Sequence, residues 1–155
     1  MDSIEITILK NLIHNDEYSR KVIPFINKEY FEEFHQKIIF EEVCTFIVKY
    51  NSLPTKETLI IESEKRTDIT DDVFGKIQDC VGVLDDTPND LQWLLDTTEK
   101  WCKDRAIYLA LVESIAIADG NNDKKNQDAI PSILSDALAV SFDNQVAVSY
   151  THLTL

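Results

Sequence analysis

The sequence predicts an all-α protein: a compact helical head of about five helices followed by a long helical hairpin. Three observations predict it. Apolar residues recur three and four positions apart through most of the chain. The periodic segments are separated by capping and breaking residues, as in "NSLPT", "DITDD" and "DDTPND". No region is strand-rich and no internal repeat is visible.

The elements follow in order. Residues 4 to 8, "IEITI", alternate like a strand, but Ile8, Leu9, Leu12 and Ile13 recur at helical spacing. Asp2 with Glu5 offers a capping box, so helix is the better reading. A short second helix is expected over Glu17 to Ile26, with Pro24 near its end. In "EEFHQKIIFEEVCTFIVKYN", Ile39, Val43, Phe46, Ile47 and Tyr50 line one face, while Glu41, Glu42 and Lys49 largely fall elsewhere. "NSLP" ends that helix, and Thr55 caps the next, which runs to about Lys65. "DITDD" starts another at about Asp71, ending near Gly82.

After "DDTPND" comes the longest helical stretch, Leu91 to Asp119, with neither Gly nor Pro inside. At 1.5 Å per residue it would extend roughly 43 Å. Leu94, Trp101, Tyr108 and Ile115 recur every seven residues, with Thr98, Arg105 and Val112 between them, a spacing that resembles a two-helix seam. A helix of this length needs a partner, because local propensity alone leaves isolated helices marginal. The polar "DGNNDKKNQD" turns the chain into "AIPSILSDALAVSF", where Pro131 suits a first turn and Ile130, Ile133, Leu134, Ala137 and Leu138 form the apolar face. Residues 1–89 are therefore read as the head, 90–145 as the hairpin, and 146–155 as an unstructured tail.

Composition narrows the function. A chain of 155 residues with 44% hydrophobic content can bury one real core. Its 28 acidic side chains against 15 basic ones give a formal charge of -13. Such a field repels phosphate backbones, so little direct nucleic-acid binding is expected, and basic protein partners are favoured. Trp93, Trp101 and Tyr108 are accordingly read as core or interface aromatics rather than base-stacking platforms. Cys44, Cys80 and Cys102 form no CxxC and are expected to be reduced, mostly buried thiols. The acidic N-terminus is unlike a signal peptide, and no run reaches membrane-spanning length, which points to a cytoplasmic protein.

Catalytic signatures are missing. With only Gly75, Gly82 and Gly120, the chain has no GxxxxGK[ST] and no GxGxxG, so neither of those phosphate-binding routes is open. His14, His35 and His152 show no paired metal spacing. His35 is expected to pack or cap at a helix start, not to act as a base. The acidic clusters are read as helix starts or solvated loops. "DGNNDKKNQDAI" has Lys124 where a calcium loop needs its turn Gly, and Ile130 where it needs the bidentate Glu. No catalytic residue, cofactor or metal site is therefore expected in this chain.

At "EEFHQKIIFEEV…NSLPTKETL" the sequence resembles the N-terminal domain of DnaB-type hexameric replicative helicases. The shared pattern is a Phe, His-x-x-Ile-Phe, then a loop with Pro and Thr-Leu, here Phe34, His35, Ile39, Phe40, Pro54, Thr58 and Leu59. "NKEYFEEF", "TEKWCKDRA" (98–106) and "DAIPSILSDALAVSFD" (128–143) are similar to the T-even-like phage branch. The resemblance implies a collar module. Such domains pair through their hairpins into a ring and recruit primase, with helicase loader contacts also made on the protein. ATP and magnesium would belong to a following motor domain. On this reading Leu94, Trp101, Arg105, Tyr108, Val112, Ile115, Leu134 and Leu138 are the candidate interface, and the chain itself is no enzyme. Relatives of this kind continue past "SFD" into a linker and motor. The closing "SYTHLTL" looks like translated adaptor read-through, so residues from about Val148 are expected to lie outside the fold. Two other readings stay open: a free-standing adaptor or decoy that binds an intact helicase, and an unrelated helical enzyme using carboxylates and a metal.

Overall fold

The computed structural model describes residues 3–120 and 126–142. The expected cap at Asp2, the centre of the "DGNNDKKNQD" turn, His152 and the tail lie outside these residues. Among the described residues there are seven α-helices and no strand: α1 (Ile4–His14), α2 (Asp16–Val22), α3 (Phe34–Tyr50), α4 (Lys56–Glu64), α5 (Asp71–Gly82), α6 (Leu91–Ala118) and α7 (Ile130–Leu138). The chain is therefore all-α. It divides into two compact units, Met1–Leu95 and Asp96–Leu155, with the division inside α6.

Caps set most boundaries in the first unit. Ser3 caps α1, its Oγ accepting from the Ile6 amide at 3.3 Å. Asn15 ends α1 and caps α2, accepting from the Tyr18 amide at 3.0 Å. The second helix stops at Val22, earlier than its pattern suggests, and a 3₁₀ turn follows over Ile23–Phe25. Pro24 explains this, since its missing N–H and its steric demand on the preceding residue end an α-helix. Asn51 closes α3 at φ 53°, a left-handed conformation that Asn tolerates better than most residues.

Thr55 and Thr70 cap α4 and α5. The Thr70 hydroxyl accepts from the Val73 amide at 3.2 Å. Thr70→Ala is expected to cost about 1 kcal/mol, the usual loss for an N-cap; a shifted urea midpoint with an unchanged slope would show it.

The core of this unit comes from all five of its full helices. Ile8, Leu9, Leu12 and Ile13 of α1, Tyr18 and Val22 of α2, Leu59 of α4, and Ile77, Cys80 and Val81 of α5 are buried. Helix α3 is central and touches α1, α4 and α5. Ile38, Ile39 and Phe40 are all buried, so α3 is covered on more than one side. That differs from the single stripe expected from its sequence. Tyr50, placed on the stripe, is 57% exposed and lies against Phe46, ring centroids 4.7 Å apart.

Polar contacts fasten the segment between α5 and α6 to α1. Asn11, 3% exposed, donates from Nδ2 to the Thr7 carbonyl at 2.8 Å and to Asn89 Oδ1 at 3.0 Å. His14 Nε2 meets the Leu84 carbonyl at 2.9 Å, and Lys10 pairs with Asp85 at 3.2 Å. A second cluster centres on Arg66, which pairs with Glu41 and Glu42 of α3 and with Asp68.

These pairs carry a pH dependence. The Arg66 hydrogen bonds hold the Asp68 carboxyl below the ordinary range. The Thr87 amide and hydroxyl, then Lys10, do the same for Asp85. A carboxyl depressed in the folded state adds stability that is present above the unfolded pKa, about 3.9, and lost as pH falls through the lower folded value. Urea melts are thus expected to be flat from neutral pH to about pH 5 and to weaken below about pH 4. Asp68→Asn should soften that acid limb.

Candidate protein interface

Asp90 immediately precedes α6, and its carboxylate accepts from the Trp93 amide at 2.9 Å. Beyond the first turns, the helix is covered along a row of mostly small residues: Thr98, Cys102, Ala106, Ala110 and Ser114, all buried and spaced four apart. Small side chains at that spacing let another backbone or side chain approach closely. Away from this row, Tyr108, Leu111, Val112 and Ile115 are 54%, 47%, 48% and 60% exposed. Their offsets of three, four and seven make one continuous apolar stripe. The Arg105 guanidinium lies over the Tyr108 ring, 4.8 Å from its centroid.

The chain then reverses. Glu99 Oε2 accepts from the Phe142 amide at 2.8 Å and from the Ser141 hydroxyl at 3.1 Å, returning the segment after α7 to the level of early α6. Helix α7 has Pro131 in its first turn. Ala137 is buried, Ile133 and Leu134 are half-buried, and Leu138 is 70% exposed.

The eight candidate interface residues therefore fall into two groups. Leu94 is fully buried and Trp101 is 7% exposed, so both are already covered within a single chain. Tyr108, Val112, Ile115 and Leu138 stand exposed, while Arg105 and Leu134 are intermediate. The period explains the split. A strict seven-residue repeat drifts about 20° per heptad around a straight helix. Over three heptads the row that starts in the core at Leu94 emerges onto the surface at Tyr108 and Ile115. Leu111 is not among the candidates; it lies three residues after Tyr108 and four before Ile115, on the same face.

Burial dominates the titration of the other chemistry-bearing side chains, His35 and the three cysteines. Burial holds the His35 imidazole below its ordinary pKa, and Glu33 only partly opposes this. It sits at the start of α3. Burial pushes the thiols of Cys44 and Cys80 up to about 11 and Cys102 to about 12, with Glu41 and Glu99 adding to the first and last. Such thiols are almost wholly protonated at neutral pH and are poor nucleophiles. Among the described residues, no group of three or more His, Cys, Asp or Glu is arranged to hold a metal ion, and no helix is long and apolar enough to cross a membrane.

Fold and surface thus define an all-α chain with an exposed apolar stripe along α6. No family model matches the chain. It is 32% identical over 147 residues to a DnaB-like replicative helicase of Enterobacteria phage T4, an alignment covering 90% of this chain and 31% of that relative. The chain is a homologue of that helicase and spans about a third of its length, which bears out the resemblance read from "EEFHQKIIFEEV…NSLPTKETL". Within that motif Ile39, Phe40, Pro54 and Leu59 are buried, so much of the resemblance is carried by core packing.

Proposed function

We propose that this chain is the N-terminal collar segment of a DnaB-type replicative helicase, serving assembly rather than catalysis. The observation that carries the reading is the similarity to a replicative helicase along nearly the whole chain but only a third of the relative. Copies associate through α6 and α7 as paired helical hairpins, with Tyr108, Leu111, Val112 and Ile115 at the contact and Leu134 and Leu138 beside it. Two such stripes bury one another because large exposed apolar rows are otherwise costly in water. The assembled collar docks primase and helicase loader. ATP, magnesium and single-stranded DNA are handled by a motor domain, which suits a chain whose charge of -13 repels phosphate.

The reading is tested by immobilising the chain and passing over it a phage primase that works with a DnaB-like helicase. Saturable binding, competed by the soluble chain, is expected. Absence of binding to both primase and loader, with the chain folded, would remove the docking role.

A further inference from the structure

Between α5 and α6 the chain is sunk into the head at its two ends and lies on the surface in between. Leu84 and Leu94 are each fully buried, and no side chain from Asp85 to Trp93 is buried. The contacts that α1 makes to this span are polar and come from the last turn of that helix. Lys10 Nζ pairs with Asp85 Oδ1 at 3.2 Å, Asn11 Nδ2 donates to Asn89 Oδ1 at 3.0 Å, and His14 Nε2 meets the Leu84 carbonyl at 2.9 Å.

Asn11 makes this more than a surface attachment. It is only 3% exposed, and its Nδ2 donates twice, to the Thr7 carbonyl and to Asn89. An amide group has two such hydrogens. If Asn89 moves away, one of them is left without a partner in a place largely closed to water, a state that folded proteins avoid. The buried amide therefore favours closure, whereas the exposed Lys10–Asp85 pair adds little. Within the span, Asp85 Oδ1 also accepts from the Thr87 amide at 3.0 Å, and Pro88 has its φ fixed by its ring. The span thus keeps its own shape through local contacts.

We infer that residues 85–90 form a polar strap, which opens and recloses on α1 while the rest of the head stays folded. Local opening of this kind belongs to segments with few buried apolar contacts. Residues 85–90 meet that condition, and α1 and α3 do not, since Ile8, Leu9, Leu12, Ile39 and Val43 are all buried. Opening releases the lead-in to α6 from α1, and the Asn11–Asn89 bond draws it back. The strap lies apart from the exposed stripe of α6 and does not depend on how that stripe is used.

The test is native-state hydrogen exchange by NMR on the full chain. It compares the Asn11 side-chain amide, which reaches solvent when the strap opens, with the Leu12 backbone amide of the same helix. Each rate is taken relative to that of the unfolded chain. The Asn11 side chain is expected to be protected, but roughly 100-fold less than Leu12. Asn89→Ala changes a residue outside the core and should remove about tenfold of the Asn11 protection, leaving Leu12 and the helical circular dichroism unchanged. Lys10→Met should have a smaller effect in the same direction. Protection of the Asn11 side chain equal to that of Leu12 would mean that the strap opens only with the whole head. No protection at all would mean that it is not closed in solution. Either result, or indifference of the Asn11 side chain to Asn89→Ala, overturns the inference.

Discussion

Placing an aspartate at Ile115 is expected to weaken self-association of the chain at least 100-fold, leaving helicity unchanged. Ile115 is 60% exposed, so the substitution removes no core contact in the single chain. In a two-fold contact it introduces two carboxylates. Stripping water from an unpaired carboxylate costs several kcal/mol, and each 1.4 kcal/mol is about a factor of ten in affinity. Tyr108→Asp should act in the same direction but less strongly. The new carboxylate would stand three residues from Arg105, whose guanidinium now covers the Tyr108 ring, and could pair with it. The order Ile115→Asp over Tyr108→Asp, read by light scattering across a dilution series, separates an apolar contact from a general charge effect.

Phe31→Ala is expected to have the largest effect on stability, about 3–5 kcal/mol. The ring is fully buried and lies 5.4 Å from the Phe40 ring, tilted at 38°. Its backbone is pinned as well, the Phe31 carbonyl accepting from the Lys37 ammonium. Removing the ring leaves a cavity beside the buried run of α3, where Ile38, Ile39 and Phe40 are packed on more than one side and cannot easily close in. Domains of this size hold only about 5–15 kcal/mol in total, so the loss is a large fraction of it. Chemical denaturation should show a midpoint shift of that size, and Phe31→Leu should recover most of it.

These two residues also mark what sequence could and could not reveal. Helix α5 begins at Asp71 and ends at Gly82, and α6 begins at Leu91, as expected from "DITDD" and "DDTPND"; chemical punctuation of that kind acts locally and is legible. Phe31 has no such signature. It lies between a 3₁₀ turn and α3, outside any periodic segment, and packs against Phe40 only once α3 has folded back beside it. Asn11 is similar: nothing in "KNLIH" announces that a buried amide will hold Asn89. The exposed stripe of α6 was half legible for a geometric reason. The heptad picked out the row along α6, but the drift between a 3.5 and a 3.6 repeat decided that Leu94 and Trp101 face inward while Tyr108, Val112 and Ile115 face out.

The measurement that bears most directly on the collar reading is sedimentation velocity of the unmodified chain from micromolar to near-millimolar concentration. Reversible, concentration-dependent growth beyond the monomer is the predicted result. A single species of 17.8 kDa at every concentration, with the helices intact, would contradict it.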